Sequence, residues 1–534
     1  MSSMIATLTV MFAAATLALL ASRKLNQPAI PLYILSGVGV SFFVAQEQIL
    51  SLSQLGISFL VFIYGVRFST DKLKTVASEG LLSSSTSIVL TGAVAAILAM
   101  FLGLTELEIV VFASAAALSS SLVGLELIKD DLRKELVHGR IVESVQLIQD
   151  LAAVLIILIV FSQEPVSAVF KGAVVLSAAF AVKRFMPSLA EGFRDSTELV
   201  MVSSLSILAL FVSLTRFMDI SIVIGAFAAG ISLSKYPYSV EVVDTVGTLK
   251  DFFTAVLFVS IGTIAATLNS QVFLLSAAIV IMTLFVKPFT IYVSLKSLGW
   301  DTRISFLSSL GLDQVSEFAV ILAIQAFIAD QIGEPLLQSV ILATAFTMAL
   351  SSYTDRHEHF LYEKFQYLFN SNEKIESTVD EPENHIILVG YDTQGKRILE
   401  EMKDEAHIVV IEYDPEKIQT IEQKDADYVF GDVMHQKAWN KANYQEADLI
   451  VSTVPLRHVS DNIISLDTEA DMILRTPDEE QAEQLLEEGA TFVSVPKILA
   501  SQRLAEHIEG VLNDRNYREE LRRKNLLELR KEQN

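Results

Sequence analysis

The 534-residue sequence predicts a helical, multi-span membrane domain followed by a soluble, doubly wound α/β domain. Three observations predict it. Hydrophobic residues make up 51% of the chain and charged ones only 19%, with mean hydropathy +0.46, whereas soluble proteins carry roughly 25% charged residues. Charge is partitioned, with a balance of -5 over residues 1–353 and -18 over residues 354–534. Strand and helix patterns alternate only in the second part, from residue 385 onward. The composition argues against a purely soluble enzyme, and a net charge of -23 against a nucleic-acid binder, which needs clustered Lys and Arg. Without cysteine there is no disulfide, thiol nucleophile or Cys-ligated metal.

Four regions follow: a membrane domain (1–353), a linker (354–384), an α/β domain (385–510) and a charged C-terminal helix or tail (511–534). The polar stretch Ser371 to Asn384 marks the linker. Crossing a bilayer core takes about 20 mostly apolar residues. Thirteen stretches qualify: 4–22, 28–46, 53–68, 83–103, 107–127, 138–161, 167–185, 197–215, 219–234, 246–267, 272–297, 304–329 and 336–353. The first lacks the basic start of a signal peptide, and its cations, Arg23 and Lys24, come after the apolar run, so it reads as a span. Cations cluster at alternate connections, Arg67, Lys72, Lys74, Lys129, Arg140, Lys183, Lys235, Lys250, Lys296 and Arg303 among them. Those connections are expected to be cytoplasmic, which with an odd number of spans puts the N-terminus outside and the acidic C-terminal domain in the cytosol.

Charges within spans are expensive and mark substrate or proton paths. Asp150 lies midway along the sixth span, and Glu143, Gln146 and Gln149 form a polar stripe leading to it along nearly one helical face. A bland alternative makes Asp150 a neutral acid bonded to a neighbouring helix. Lys287, followed by Pro288 in the eleventh span, is expected to pair with Asp150 or with backbone carbonyls, the alternative being snorkelling to an interface. Glu198 and Glu317 are equally compatible with solvated span ends.

Two spans are interrupted by poor helix formers, around Ser119 to Ser121 and around Gly311 to Glu317. Small residues alone also serve tight packing, but paired broken helices in two halves are a transporter signature. SFLVFIYG, ending at Gly65, resembles AVLFVSIG, ending at Gly262, seven spans later. The same offset relates the two broken spans, the spacing of an inverted repeat.

The segments QPAIPLYILSGV (27–38), LGISFLVFIYGV (55–66), LIQDLAAV (147–154), GAFAAGISLS (225–234), FFTAVLFVSIGT (252–263) and SEFAVILA (316–323) resemble, in order, the Kef-type monovalent cation:proton antiporters. The resemblance implies about thirteen spans in inverted repeats, crossed broken helices and a homodimer in the cell (inner) membrane. It also implies that Asp150, with Gln149, carries the cation or proton. K+ is the favoured substrate ion and Na+ the alternative, with Ser119, Ser120 and Ser121 as further ligands and Lys287, Glu317 and Glu143 as charge partners. The sequence departs from relatives at Val315-Ser316-Glu317-Phe318, where Gly-Glu-Phe is common. With Gln at 149 rather than a second Asp, the expected exchange is one-for-one and electroneutral. The alternatives are a cation channel with the same regulatory domain, although no TVGYG-like filter is present, and a membrane nucleotide sensor that transports nothing.

In the second domain, HIILVGY, HIVVIEYD, ADYVFGD, ADLIVSTVP, DMILRTP and ATFVSVP read as strands with helices between them. Gly390 and Gly395 bracket a first turn in which Asp392 replaces the middle glycine of a dinucleotide fingerprint, and Glu412 follows about twenty residues later. Gly431-Asp432, Ser452-Thr453 and GATFVSVPKILASQRLAEHI (489–508) give this half a resemblance to the nucleotide-binding part of Trk and RCK regulatory domains, a Rossmann-like fold. The resemblance implies a nucleotide at Gly390, Asp392, Gly395, Glu412, Asp432 and Thr453. The charge on Asp392 favours AMP or another adenine nucleotide with few phosphates over NAD, an empty structural domain being the alternative. Hydride-transfer machinery is not evident, so a transporter rather than an enzyme is expected, with room for an accessory regulatory protein.

Overall fold

A computed structural model of the chain describes residues 4–41, 46–68, 78–133, 136–160, 165–190, 197–235, 238–265, 269–365, 376–379, 381–513, 517–519, 521–523 and 526. Parts of the expected linker and tail, and the cations Lys72, Lys74, Lys134 and Arg194, lie outside the described residues. The chain divides into two compact units, Met1–Ser371 and Asn372–Asn534.

The first unit is helical. Its helices are α1 (Met4–Leu25), α2 (Ala29–Val40), α3 (Gln46–Arg67), α4 (Ser78–Phe101), α5 (Glu106–Ala117), α6 (Ser121–Leu127), α7 (Lys129–Arg133), α8 (Val137–Val160) and α9 (Pro165–Ala190). Then come α10 (Thr197–Phe217), α11 (Ile222–Ser232), α12 (Tyr238–Ile264), α13 (Ser270–Ser297), α14 (Thr302–Leu310), α15 (Glu317–Ile328), α16 (Glu334–Arg356) and α17 (Glu358–Phe365). Among the described residues, eight helical stretches are long and apolar enough to cross a membrane, and four shorter apolar helices accompany them. Phe101, Val166, Phe170, Phe217, Phe273 and Phe285 are more than two-thirds exposed on the outside, the surface a lipid solvent favours.

The repeat is visible in the packing. On α3, a Cβ at Gly65 would fall 2.3 Å from the Phe227 carbonyl and 2.9 Å from the Gly230 Cα on α11. The equivalent pair, Gly262 on α12 and Gly37 on α2, is equally tight, with 2.1 Å to the Ile34 carbonyl and 3.0 Å to the Gly37 Cα. Only glycine permits backbones so close. The α3–α11 and α12–α2 contacts are thus the same contact made twice, seven spans apart, as the Gly65 and Gly262 motifs predict. Within α13, a wide turn at Met282–Val286 precedes Lys287 and Pro288. Proline has no N–H for the carbonyl four residues back, and the widened turn accommodates that loss.

The second unit holds a seven-stranded sheet in the order β1-β4-β3-β2-β5-β6-β7. β2 (His385–Val389), β3 (Ile408–Glu412), β4 (Asp427–Phe430), β5 (Ala447–Ser452), β6 (Asp471–Arg475) and β7 (Phe492–Ser494) are parallel, as their apolar runs predict. β1 (Glu376–Ser377) adds an antiparallel edge strand inside the expected linker. Its cause is local: Thr378 exchanges two hydrogen bonds with the Tyr428 backbone, its hydroxyl accepting the N–H at 2.9 Å and its own N–H reaching the carbonyl at 3.1 Å. Alternate residues face opposite cores, Ile387, Val389, Val409 and Ile411 on one side and Leu388, Ile408 and Val410 on the other. That double burial is why these strands are continuously apolar.

Candidate functional site

Two interrupted helices build the site in the first unit. Between α5 and α6 the chain is extended at Leu118 to Ser120, and between α14 and α15 it is irregular from Gly311 to Ser316. The two breaks meet: the Ser316 N–H donates to the Leu118 carbonyl at 3.1 Å, and Ser119 Oγ donates to the Leu312 carbonyl at 2.9 Å. An interrupted helix at membrane depth leaves backbone groups without intrahelical partners, and each must be satisfied by protein. Gln149 Oε1 accepts the Ser119 N–H at 2.8 Å. The Ser120 carbonyl accepts from Gln146 Nε2 at 3.1 Å and Gln314 Nε2 at 3.3 Å. Gln146 reaches it only because residue 124 is glycine: a Cβ there would sit 1.8 Å from the Gln146 amide nitrogen.

Lys287 is fully buried and does not snorkel; Nζ donates to the Gln314 carbonyl at 2.7 Å and the Leu118 carbonyl at 3.2 Å, one from each break. Of the two arrangements the sequence allows, the structure has Lys287 on backbone carbonyls. Glu317 is buried in the first turn of α15, not at a solvated end. Its Oε1 accepts from Tyr64 Oη, from Ser121 Oγ at 3.1 Å and from the Leu122 N–H at 3.3 Å, while its Oε2 makes no hydrogen bond. Asp150 stands against Ser121 and within electrostatic reach of Glu317, and its buried Oδ1 has no hydrogen-bond partner. The structure therefore gathers Asp150, Glu317 and Ser121 into one polar pocket, with Gln149 and Lys287 bracing its backbone. The hydroxyls of Ser119 and Ser120 are spent on the breaks, the second capping α6 through the Val123 N–H at 3.2 Å. Glu143 is half-buried further along the stripe, and Glu198 is exposed at the start of α10.

Sequence reasoning did not single out Tyr64, Asp313 or Gln314. Asp313 is buried, accepting from Ser351 Oγ and from Thr354 Oγ1, the latter at 2.8 Å. Both Asp313 and Gln314 lie in the broken segment, a polar Asp-Gln pair inside an apolar span, which is the signal that could have found them.

In the second unit, the sheet order reverses between β2 and β5, the place where open α/β sheets bind ligands beyond the strands' carboxyl ends. Gly390 has φ +90 there, and a Cβ at Gly395 would fall 2.2 Å from the Gly390 carbonyl, so both glycines are required to press helix α18 (Thr393–Met402) onto β2. Asp392 caps that helix by accepting the Gly395 N–H at 2.8 Å, and its other oxygen accepts from Arg475 at 2.7 Å. Arg475 also donates to the Thr453 carbonyl at 2.9 Å, so the Asp392 charge is balanced from β6. Glu412 is buried, with Oε2 on the Tyr391 N–H at 2.7 Å and Oε1 on the N–H groups of Tyr413 and Asp414. Thr453 is buried beside Gly390, and Asp432 accepts the Met434 N–H at 2.9 Å one strand further out. The structure brings Gly390, Asp392, Gly395 and Thr453 together, Glu412 flanks them, and Asp432 lies after β4. At the start of β2, His385 is buried and its ring bonds the Ala442 carbonyl at 2.8 Å; burial pushes its pKa below the ordinary value.

Comparison with known proteins agrees with both units. Residues 10–354 match the sodium/hydrogen exchanger transmembrane family, and residues 386–496 match the TrkA-N domain. The K(+) efflux antiporter 4 of Arabidopsis thaliana is 24% identical over 65% of this chain and 62% of its own, so the chain spans about three-fifths of that relative's length. A chain named as the K(+) efflux antiporter KefB of Alkalimonas amylolytica is 22% identical over 92% of this chain and 79% of its own. Among solved structures, the sodium proton antiporter MjNhaP1 of Methanocaldococcus jannaschii shares the fold with a TM-score of 0.52 at 15% identity, covering 68% of this chain and 99% of its own. With crossed broken helices, a repeated glycine contact and a family match over most of its length, this chain belongs to the transmembrane sodium/hydrogen exchanger family, as a member that carries a TrkA-N domain.

Proposed function

We propose that the protein exchanges a monovalent cation, K+ in preference to Na+, for H+ across the cell membrane, with Asp150 as the carrier. One observation supports this most directly. Asp150 Oδ1 and Glu317 Oε2 are buried carboxylate oxygens without a hydrogen bond among the described residues, at the crossing of two broken helices. A buried carboxylate oxygen needs a proton or a metal ion, because desolvation of a bare charge costs several kcal/mol. Glu317 already receives three donors on Oε1 and stays in place, whereas Asp150 takes either ligand but not both. Neutralisation by either one lowers the cost of moving the site, and an empty, charged site does not cross. Replacing one proton by one cation leaves the charge unchanged, so exchange is electroneutral.

The second unit is a cytosolic regulatory domain that binds AMP or another adenine nucleotide at Gly390, Gly395 and Thr453. The residues fit such a group: Gly390 and Gly395 let the turn after β2 close onto the N-terminus of α18, where a phosphate is favoured. Glu412 offers the ribose only the lone pairs not already used by three backbone N–H groups. The protein works as a homodimer. Helix α19 (Pro496–Asn513) supports that reading, since Leu504, Ile508 and Leu512, spaced four apart along one face, are 61%, 53% and 74% exposed.

The test is dissipation of a pH gradient in liposomes by K+, Na+ and Rb+. Wild type should respond with no dependence on membrane voltage, and Asp150→Asn should respond to none of the ions. Unitary currents would point to a channel, and normal exchange by Asp150→Asn would remove the carrier assignment.

A further inference from the structure

Three helices meet where the sixth span begins. Helix α7 brings Asp131, the first turn of α8 brings His138, and the first turn of α17, which follows the last span, brings Glu358. One ligand atom from each of the three lies within 4.8 Å of the others. His138 is only 7% exposed, and its Nε2 is buried without a hydrogen bond although Asp131 Oδ2 is 3.3 Å away. In the neutral ring, a buried nitrogen that lies beside carboxylate oxygens without a hydrogen bond has a lone pair free for a metal ion. The backbone fixes this arrangement. The Leu136 N–H donates to the Asp131 carbonyl at 2.9 Å, and a Cβ at Gly139 would come within 3.3 Å of the Asp131 Cβ. Asp131 and Glu358 are half-buried, which leaves a route from water. The carboxylates of Asp131, Asp355 and Glu358 interact with one another here, and the His138 ring, Arg303 and Arg356 lie within their electrostatic reach.

We propose that Asp131, His138 and Glu358 form a binding site for a first-row divalent transition metal of the zinc class, with water completing the coordination. One imidazole nitrogen and two carboxylate oxygens suit zinc or manganese, whereas magnesium prefers an all-oxygen octahedron. Arg303 lies within electrostatic reach of Glu358. The ion would fasten the helix that follows the last span to the N-terminal turn of the helix bearing Asp150. His138 and Asp150 are twelve residues apart on α8, about 18 Å along its axis.

The experiment uses the purified full-length chain in detergent, stripped with a chelator and titrated with Zn2+ in competition with a chromogenic indicator. Wild type should bind one Zn2+ per chain. His138→Gln and Glu358→Gln should each bind about 100-fold more weakly or worse, given that altering even an outer partner of a metal costs about 10–100-fold. His357→Gln, which changes an exposed neighbouring imidazole, should bind as wild type does. No binding by wild type, equal binding by the His138 and Glu358 variants, or loss in the His357 variant would overturn the assignment. X-ray absorption at the zinc edge of loaded wild type does not depend on any variant folding. One imidazole among N/O neighbours at about 2.0–2.1 Å is expected, and the absence of imidazole scattering would also overturn it.

Discussion

The side chain of Gln149 accepts the backbone N–H of Ser119 at 2.8 Å, across 30 residues of sequence. The break in the fifth span strands that N–H, and among the described residues Gln149 is the acceptor that satisfies it. Gln149→Leu should therefore leave a buried donor unpaired, at a cost of about 1–3 kcal/mol. Thermal unfolding of the full chain in detergent should begin a few degrees lower, and the Ser119 amide should exchange hydrogen faster than in wild type. Unaltered exchange at Ser119 would mean that the bond does not hold the break.

Lys287 ties both breaks together, and its removal should be more damaging. Lys287→Met fills a similar volume but leaves the Leu118 and Gln314 carbonyls without their charged donor. Each lost charge-assisted bond in a buried site costs about 1.5–3 kcal/mol. The expected outcome is a lower unfolding temperature together with loss of exchange for every cation tried. A stable variant that still exchanges at the wild-type rate would contradict the bracing role.

Much of this was legible in the sequence, and what was not has a common cause. Eight helices among the described residues were readable as spans because lipid demands about 20 apolar residues, while four apolar helices fall short of that length; the second unit was readable because its strands are buried on both faces. Gly65 and Gly262 were readable as a repeat because only glycine allows their backbone contacts. Tyr64 was not, since a tyrosine in an apolar run looks like any aromatic until a carboxylate 253 residues away is found bonded to it. Arg475 was hidden for the same reason: its partner Asp392 is 83 residues distant, and only strand order makes them neighbours. β1 lay in a stretch too short and polar to read as a strand, and depends on a threonine hydroxyl reaching Tyr428.

The Asp392–Arg475 contact changes what a nucleotide phosphate would meet. Asp392 alone would repel a phosphate, but Arg475 at 2.7 Å screens it and is itself a phosphate ligand if Asp392 releases it. Arg475→Gln should weaken the proposed binding of AMP by about 10-fold or more, the equivalent of one charge-assisted bond. Asp392→Asn should tighten it, and adding Asp392→Asn to Arg475→Gln should recover part of the loss. Calorimetric titration of the full-length variants reads all three, and an unaffected Arg475→Gln would place the phosphate elsewhere.

His385 gives the second unit a defined response to acid. The ring is buried at the start of β2 and bonded to the Ala442 carbonyl, and burial holds its pKa below the ordinary value of about 6.5. The unfolded chain then binds a proton more readily than the folded one. Stability is complete above about pH 6.5 and falls as pH drops from there through the folded-state pKa, because protonation must be forced on a desolvated ring. Amide exchange across β2 in the full chain should accelerate, beyond the intrinsic change, as pH falls below about 6.5. His385→Gln, which keeps a donor for Ala442 but cannot titrate, should flatten that response while leaving exchange at pH 8 near wild type. If β2 in the variant opens with the same pH dependence as in wild type, another group must be sensing the acid.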